Sequence, residues 1–106
     1  MNRDEQIQKL SRASDWRAPL IILTSAFAED GRVWQYVNLD REEIAFRNIL
    51  EDDTFSSGEK MLLSIAASLF NREHRINLWE VFNRLDEPNT ALVLRAIRSF
   101  CDEDEP

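Results

Sequence analysis

Apolar positions recur with a helical period through much of this chain, most regularly in its last 50 residues. Three periodic segments, Glu59 to Phe70, Leu78 to Leu85 and Asn89 to Phe100, follow one another with only short polar joints between them. They predict a compact C-terminal three-helix unit over about residues 57–101. Each helix carries its own start signal. Ser56 with Glu59 three residues later forms a capping box, after which Leu62, Ile65, Ala66 and Leu69 mark one face, and Asn71 can close the helix. Asn77 caps the second helix, whose stripe is Leu78, Val81, Phe82 and Leu85. Asp86 caps the third, with Pro88 inside its first turn, and Leu92, Val93, Ala96, Ile97 and Phe100 form a broad apolar arc opposite Arg95 and Arg98.

The N-terminal half is less regular. Asn2 can cap a short helix over residues 2–13, with Asp4 and Glu5 in its first turn and Ile7 and Leu10 on one face. The stretch 20–38 reads two ways. Leu20, Leu23 and Phe27 have helical spacing after Pro19, with Gly31 placed to end the helix. Asp30-Gly31 also suits a two-residue hairpin turn that would set Glu29 across from Arg32 and Phe27 across from Trp34, beside the β-branched and aromatic run Val33 to Val37. The hairpin is slightly favoured. A helix over Leu39 to Leu50 follows, capped by Asn38 or Asp40, with Glu42 and Glu43 near its positive end, and Glu51-Asp52-Asp53 closes it. The fold class expected is therefore mainly α. With no Gly/Ser-rich linker, low-complexity tract or internal repeat, residues 1–106 make one domain, its acidic tail at 102–106 fraying against the negative end of the last helix dipole.

Composition narrows the setting more than the function. A chain that is 43% hydrophobic and 31% charged belongs with soluble globular domains rather than disordered ones. The longest apolar run, Leu20 to Leu23, is far short of a membrane span, and the opening residues have no signal-peptide pattern, so a cytoplasmic protein without membrane contact is expected. Cys101 has no partner for an internal disulfide and reads as a small apolar filler at a helix end. The net charge of −7 is uneven. Residues 1–56 carry 7 basic and 11 acidic groups, residues 57–101 carry 6 and 5, and Asp102, Glu103, Asp104 and Glu105 add four more carboxylates. Such acidity disfavours phosphate backbones and favours solubility or a basic protein partner.

Sites of chemistry are hard to assemble from these residues. Phe55 to Lys60, followed by Met61 to Ala66, resembles the signature motif of ABC-type ATPases, including those of the chromosome-maintenance family, and Leu85-Asp86-Glu87-Pro88 resembles their metal-binding acidic pair. That resemblance implies nucleotide binding, yet the phosphate loop such enzymes need ends in Gly-Lys-Ser/Thr, and here only Gly31 and Gly58 exist, neither in that context. Capping explains the first motif by itself. His74, the single histidine, lies in a polar joint between Arg72, Glu73 and Arg75 and reads as a solvated loop residue, without a nucleophile or further metal ligands beside it in sequence. The carboxylate pairs Glu42-Glu43, Asp52-Asp53 and Asp86-Glu87 fall at helix starts or joints, where acidic residues are expected. No catalytic, cofactor-binding or metal-ligating residue is assigned, and an enzyme is not expected.

Two binding functions remain. The first is a small acidic protein-binding protein, a regulator, inhibitor or immunity-type protein, meeting a partner through Trp79 and the carboxylates Asp102, Glu103, Asp104 and Glu105, with a homodimer as one form of that association. By helical geometry Trp79 flanks the apolar stripe of its helix, so it either contacts a partner or packs against the N-terminal half. The second follows from Ile76 to Ile97, which looks like a helix-turn-helix pair with Asn89 and Thr90 leading the recognition helix and Arg95 and Arg98 along it. Electrostatics oppose that second function, because Asp86 and Glu87 would approach the phosphates and the unit lacks a basic stripe.

Overall fold

In a computed structural model of the chain, residues 2–102 are described. They run α1 (Arg3–Leu10), α2 (Ser14–Ala26), α3 (Gly31–Trp34), β1 (Val37–Asn38), β2 (Glu43–Ile44), α4 (Phe46–Glu51), α5 (Ser57–Phe70), α6 (Leu78–Arg84) and α7 (Glu87–Cys101). The mainly helical class is as expected, and so are the local start signals. Asn2, Ser56, Asn77 and Asp86 each accept a hydrogen bond from the backbone N–H three residues on, and Glu59 completes the capping box by accepting from the Ser56 amide. Local chemistry sets these ends because each cap satisfies donors that its own helix leaves free.

What organises the core is α2. Its residues Trp16, Ala18, Leu20, Ile22 and Leu23 are all buried, and it packs most extensively against both α5 and α7. A helix covered on several sides needs apolar residues around most of its circumference, and Trp16 to Leu23 provides them. The three C-terminal helices are present, but they do not close on one another as a self-contained unit. α5 and α7 are bridged by α2, while α6 touches the body mainly through α5. α5 in turn buries Leu62, Leu63, Ile65, Ala66 and Ala67, a wider face than the expected stripe because α2, α4 and α7 all lean on it. Aromatic edges lock the layers: Trp16 meets Phe70 at 5.1 Å between ring centroids, and Phe27 meets Phe55 at 6.2 Å, both pairs near perpendicular.

Two N-terminal expectations are corrected. Residues 20–38 are not a hairpin: α2 runs through them as far as Ala26 and α3 takes Gly31–Trp34, and α2 begins six residues before Leu20, with Pro19 inside. Proline lacks the N–H that would bond one turn back, so it favours helix starts. Here it is tolerated because burial of its neighbours outweighs one missing bond near the helix N-terminus. Asp30-Gly31 does not turn a hairpin because Asp30 caps α3, accepting from the Arg32 amide at 2.9 Å, and Gly31 keeps negative φ where the favoured hairpin turn needs positive. The short antiparallel hairpin lies further on, pairing Val37 with Ile44 and Asn38 with Glu43. The helix expected over Leu39 to Leu50 is accordingly shortened to Phe46–Glu51. Asn38 does accept from the Arg41 amide at 3.0 Å, the bond of a cap, but Glu42 then enters the left-handed region at φ 57° and stops any helix there.

Candidate functional site

Apolar side chains are left exposed on two helices, Leu94 and Phe100 on α7 and a contiguous group on α6. The apolar residues of α6 sweep a continuous arc, with Val81, Leu78, Phe82 and Trp79 following one another round the helix at 100° per residue. Only the edge of that arc is used. Val81 is 2% exposed against α5, whereas Leu78 is 61%, Phe82 37% and Trp79 74% exposed. Half of the expected core stripe of this helix, Leu78 and Phe82, is thus a surface, while Val81 and Leu85 stay against the core, and Trp79 does not pack against the N-terminal half. The physical reason is the missing neighbour. α7, which would have covered this face in a closed three-helix unit, is drawn to α2 instead.

The opposite side of α6, carrying Asn77, Glu80, Val81 and Arg84, forms one wall of a groove of about 440 Å³ against α5 and the joint before α6. Leu50, Met61 and Ile76 give it apolar lining, and Lys60, Arg75 and Arg84 bring three cations to it. Lys60 lies 3.8 Å from the fully exposed Asp53, and neither arginine has an ion-pair partner among the described residues.

The remaining residues singled out in the sequence are dispersed. Asp102 pairs with Arg98 one turn back at 3.5 Å, both well exposed, and Glu103, Asp104 and Glu105 lie outside the described residues. On the helix proposed to read DNA, Thr90 donates its hydroxyl to the Asp86 carbonyl at 2.8 Å, the Asn89 backbone amide serves the Asp86 cap, and Arg95 donates to the Ser25 hydroxyl of α2 at 2.7 Å. Cys101 is exposed rather than a core filler, because it lies about 140° round α7 from the buried Ala96. The two motifs that resemble ATPase sequences serve as the caps of α5 and α7.

His74 also differs from expectation. It is half-buried, and its Nε2 lies 2.9 Å from the Ser64 hydroxyl, an interaction between residues ten apart that pins the α5–α6 joint to α5. A serine and histidine at this distance are the beginning of a nucleophile and base pair. Ser64, however, sits inside α5 with its backbone amide committed to the helix, and among the described residues no group orients the second ring nitrogen. No group of three or more His, Cys, Asp or Glu converges among those residues either, and no helix there is long and apolar enough to cross a membrane.

A charged cluster of a different kind surrounds Arg32. Its guanidinium bonds Asp30 at 2.7 Å, Glu59 at 3.0 Å and the Thr54 carbonyl at 2.7 Å, and lies over the Phe55 ring at 4.5 Å. Hydrogen bonding to Arg32 holds the Asp30 carboxyl below its ordinary range, while Glu59 is lowered first by the Ser56 amide and then by Arg32. Nearby, Asp52 is lowered by Thr54, and its carboxylate accepts the Tyr36 hydroxyl at 3.1 Å, which raises the tyrosine. Every member thus has a partner that joins α3, the 52–55 segment and the start of α5, so the cluster reads as a brace. Compared with protein-family models, curated proteins and solved structures, the chain matches none.

Proposed function

We propose that this protein works by binding another protein, and that the outward face of α6 is its contact surface. One observation carries the reading: Leu78, Trp79 and Phe82 stand exposed together on one helix while 19 other apolar residues are buried in the core. A large aromatic left in water wastes burial free energy unless a second surface covers it, and tryptophan flanked by apolar neighbours is the composition of an interface hot spot. The short helix suits the role, since a face formed by i, i+1 and i+4 positions fits an apolar groove on a partner. The acidic remainder of the chain then serves solubility, or steers a partner whose other surface is basic.

A photo-crosslinking amino acid at position 79, used in the native cell, identifies the protein in contact. Titration of that purified protein then decides. Trp79→Ala is expected to weaken binding by about ten-fold or more, the effect of losing a hot-spot side chain. Phe82→Ala should weaken it too, while costing the fold about 1 kcal/mol or less because the side chain is exposed. Leu62→Ala, which empties a core position, should cost on the order of 2–5 kcal/mol of stability and serves as the contrast. Unchanged affinity for the crosslinked protein in both α6 variants would reject the reading.

A further inference from the structure

We infer that the groove between α5 and α6 takes an acidic peptide segment with an apolar anchor, which rests on the reading of α6 as a contact helix and adds the chemistry of what it contacts. Charge is the first argument. The whole chain is strongly negative, yet this groove brings together Lys60, Arg75 and Arg84, with Glu80 the one carboxylate of its lining and the exposed Asp53 beside Lys60. Three of the chain's other cations are quenched: Arg32 is held by two carboxylates, and Arg47 and Arg98 each pair one turn along their helices. Arg75 and Arg84 have no such pairing among the described residues, so their donors stay available. Guanidinium groups match carboxylates by a planar two-donor fork, which gives orientation as well as attraction.

The lining supplies the second argument. Between the cations the groove exposes parts of Leu50, Met61 and Ile76 beside the buried Val81, and it encloses about 440 Å³. Methionine adapts its shape to whatever apolar side chain enters. Carboxylates around an apolar residue therefore satisfy both parts of the groove at once. A nucleic-acid strand fits it less well, since Glu80 interrupts the row of cations that a run of phosphates would need and aliphatic walls offer no platform for stacking bases. Because Asn77, Glu80, Val81 and Arg84 share one face of α6 while Leu78, Phe82 and Trp79 share the other, a partner that grips this helix can fill the groove and cover the aromatic face together.

The test is a nuclear magnetic resonance titration of the full chain with a synthetic ten-residue peptide in which a leucine and a phenylalanine are set among aspartates and glutamates. Shifts are expected at Met61, Ile76 and Val81, and raising salt should weaken them. Arg75→Glu combined with Arg84→Glu should lower the peptide's affinity about ten-fold or more, with an otherwise native amide spectrum as the check on folding, while Arg41→Glu, a change of the same sign in the exposed turn between β1 and β2, alters it less than about two-fold. The same peptide with lysines and arginines for its acids should not bind, and neither should single-stranded oligothymidine. Absent or misplaced shifts, equal binding of the charge-reversed peptide, tighter binding of oligothymidine, or indifference to the arginine changes would each overturn the inference. The two proposals separate cleanly: loss of the crosslinked partner on Trp79→Ala with no peptide response leaves α6 a contact helix and removes only the acidic-segment chemistry.

Discussion

Arg32 is the residue through which the most separate parts of the chain are tied by charge. It joins the cap of α3, the carbonyl of Thr54 and the capping box of α5. Because Asp30, Asp52 and Glu59 have carboxyls lowered in the folded state, the folded protein binds fewer protons than the unfolded chain in mild acid. Their contribution is therefore fully present above the ordinary carboxylate range and is lost as pH falls below about 4, through the lowered folded-state values. Denaturant midpoints measured between pH 7 and pH 3 should fall in that window, and Arg32→Ala should flatten the part of the fall that Asp30 and Glu59 supply. A variant whose pH profile parallels the parent would show that the cluster contributes little. Other single residues show the limits of local rules: Glu42 holds a left-handed conformation without being glycine, and Asn38 makes a capping bond that opens a turn instead of a helix.

At the scale of elements, the difference lies between α2 and α6. The C-terminal segments have the clearest periodicity, which would place the most stable backbone there, but α2 is the helix that α5 and α7 share. Hydrogen exchange should find amides of α2, α5 and α7 opening together with the highest protection, and α6 exchanging faster, since seven residues secured mainly by Val81 can detach without dismantling the core. Slower exchange in α6 than in α2 would contradict this packing. The same weak attachment bears on binding, because a helix seated by Val81 and by Ile76 and Leu85 at its two ends can adjust that seating when a partner covers its other face.

At the scale of the whole molecule, charge separates the two binding functions considered. A net charge of −7 repels a polyanion, and the arginines set on α7 for DNA are engaged, Arg95 with Ser25 and Arg98 with Asp102. Duplex DNA should therefore show no retention even at low ionic strength. Salt-sensitive retention that disappears when Arg95 and Arg98 are replaced by alanine would restore the helix-turn-helix alternative. The basic groove beside α6 shows why net charge does not settle local recognition, since a few cations held close together act over less than the screening length that blurs the rest of the surface.

The sequence by itself determined what depends on neighbours in the chain. Helix starts at Asn2, Ser56, Asn77 and Asp86 were legible because a cap bonds an amide only three residues away, and the mainly helical class followed from the period of the apolar residues. The prominence of Trp79 was legible too, as a tryptophan on the flank of its helix stripe. Its exposure was not, because stripes say which face is apolar and not which neighbour arrives to cover it. Only the tertiary structure decided that α2 takes α7 from α6, that Pro19 stays inside a helix, that Asp30 caps instead of turning a hairpin, and that His74 reaches Ser64. Each of these joins residues whose competing local options differ by about 1–3 kcal/mol, less than burial of a few apolar side chains supplies, so packing across the chain chose among them.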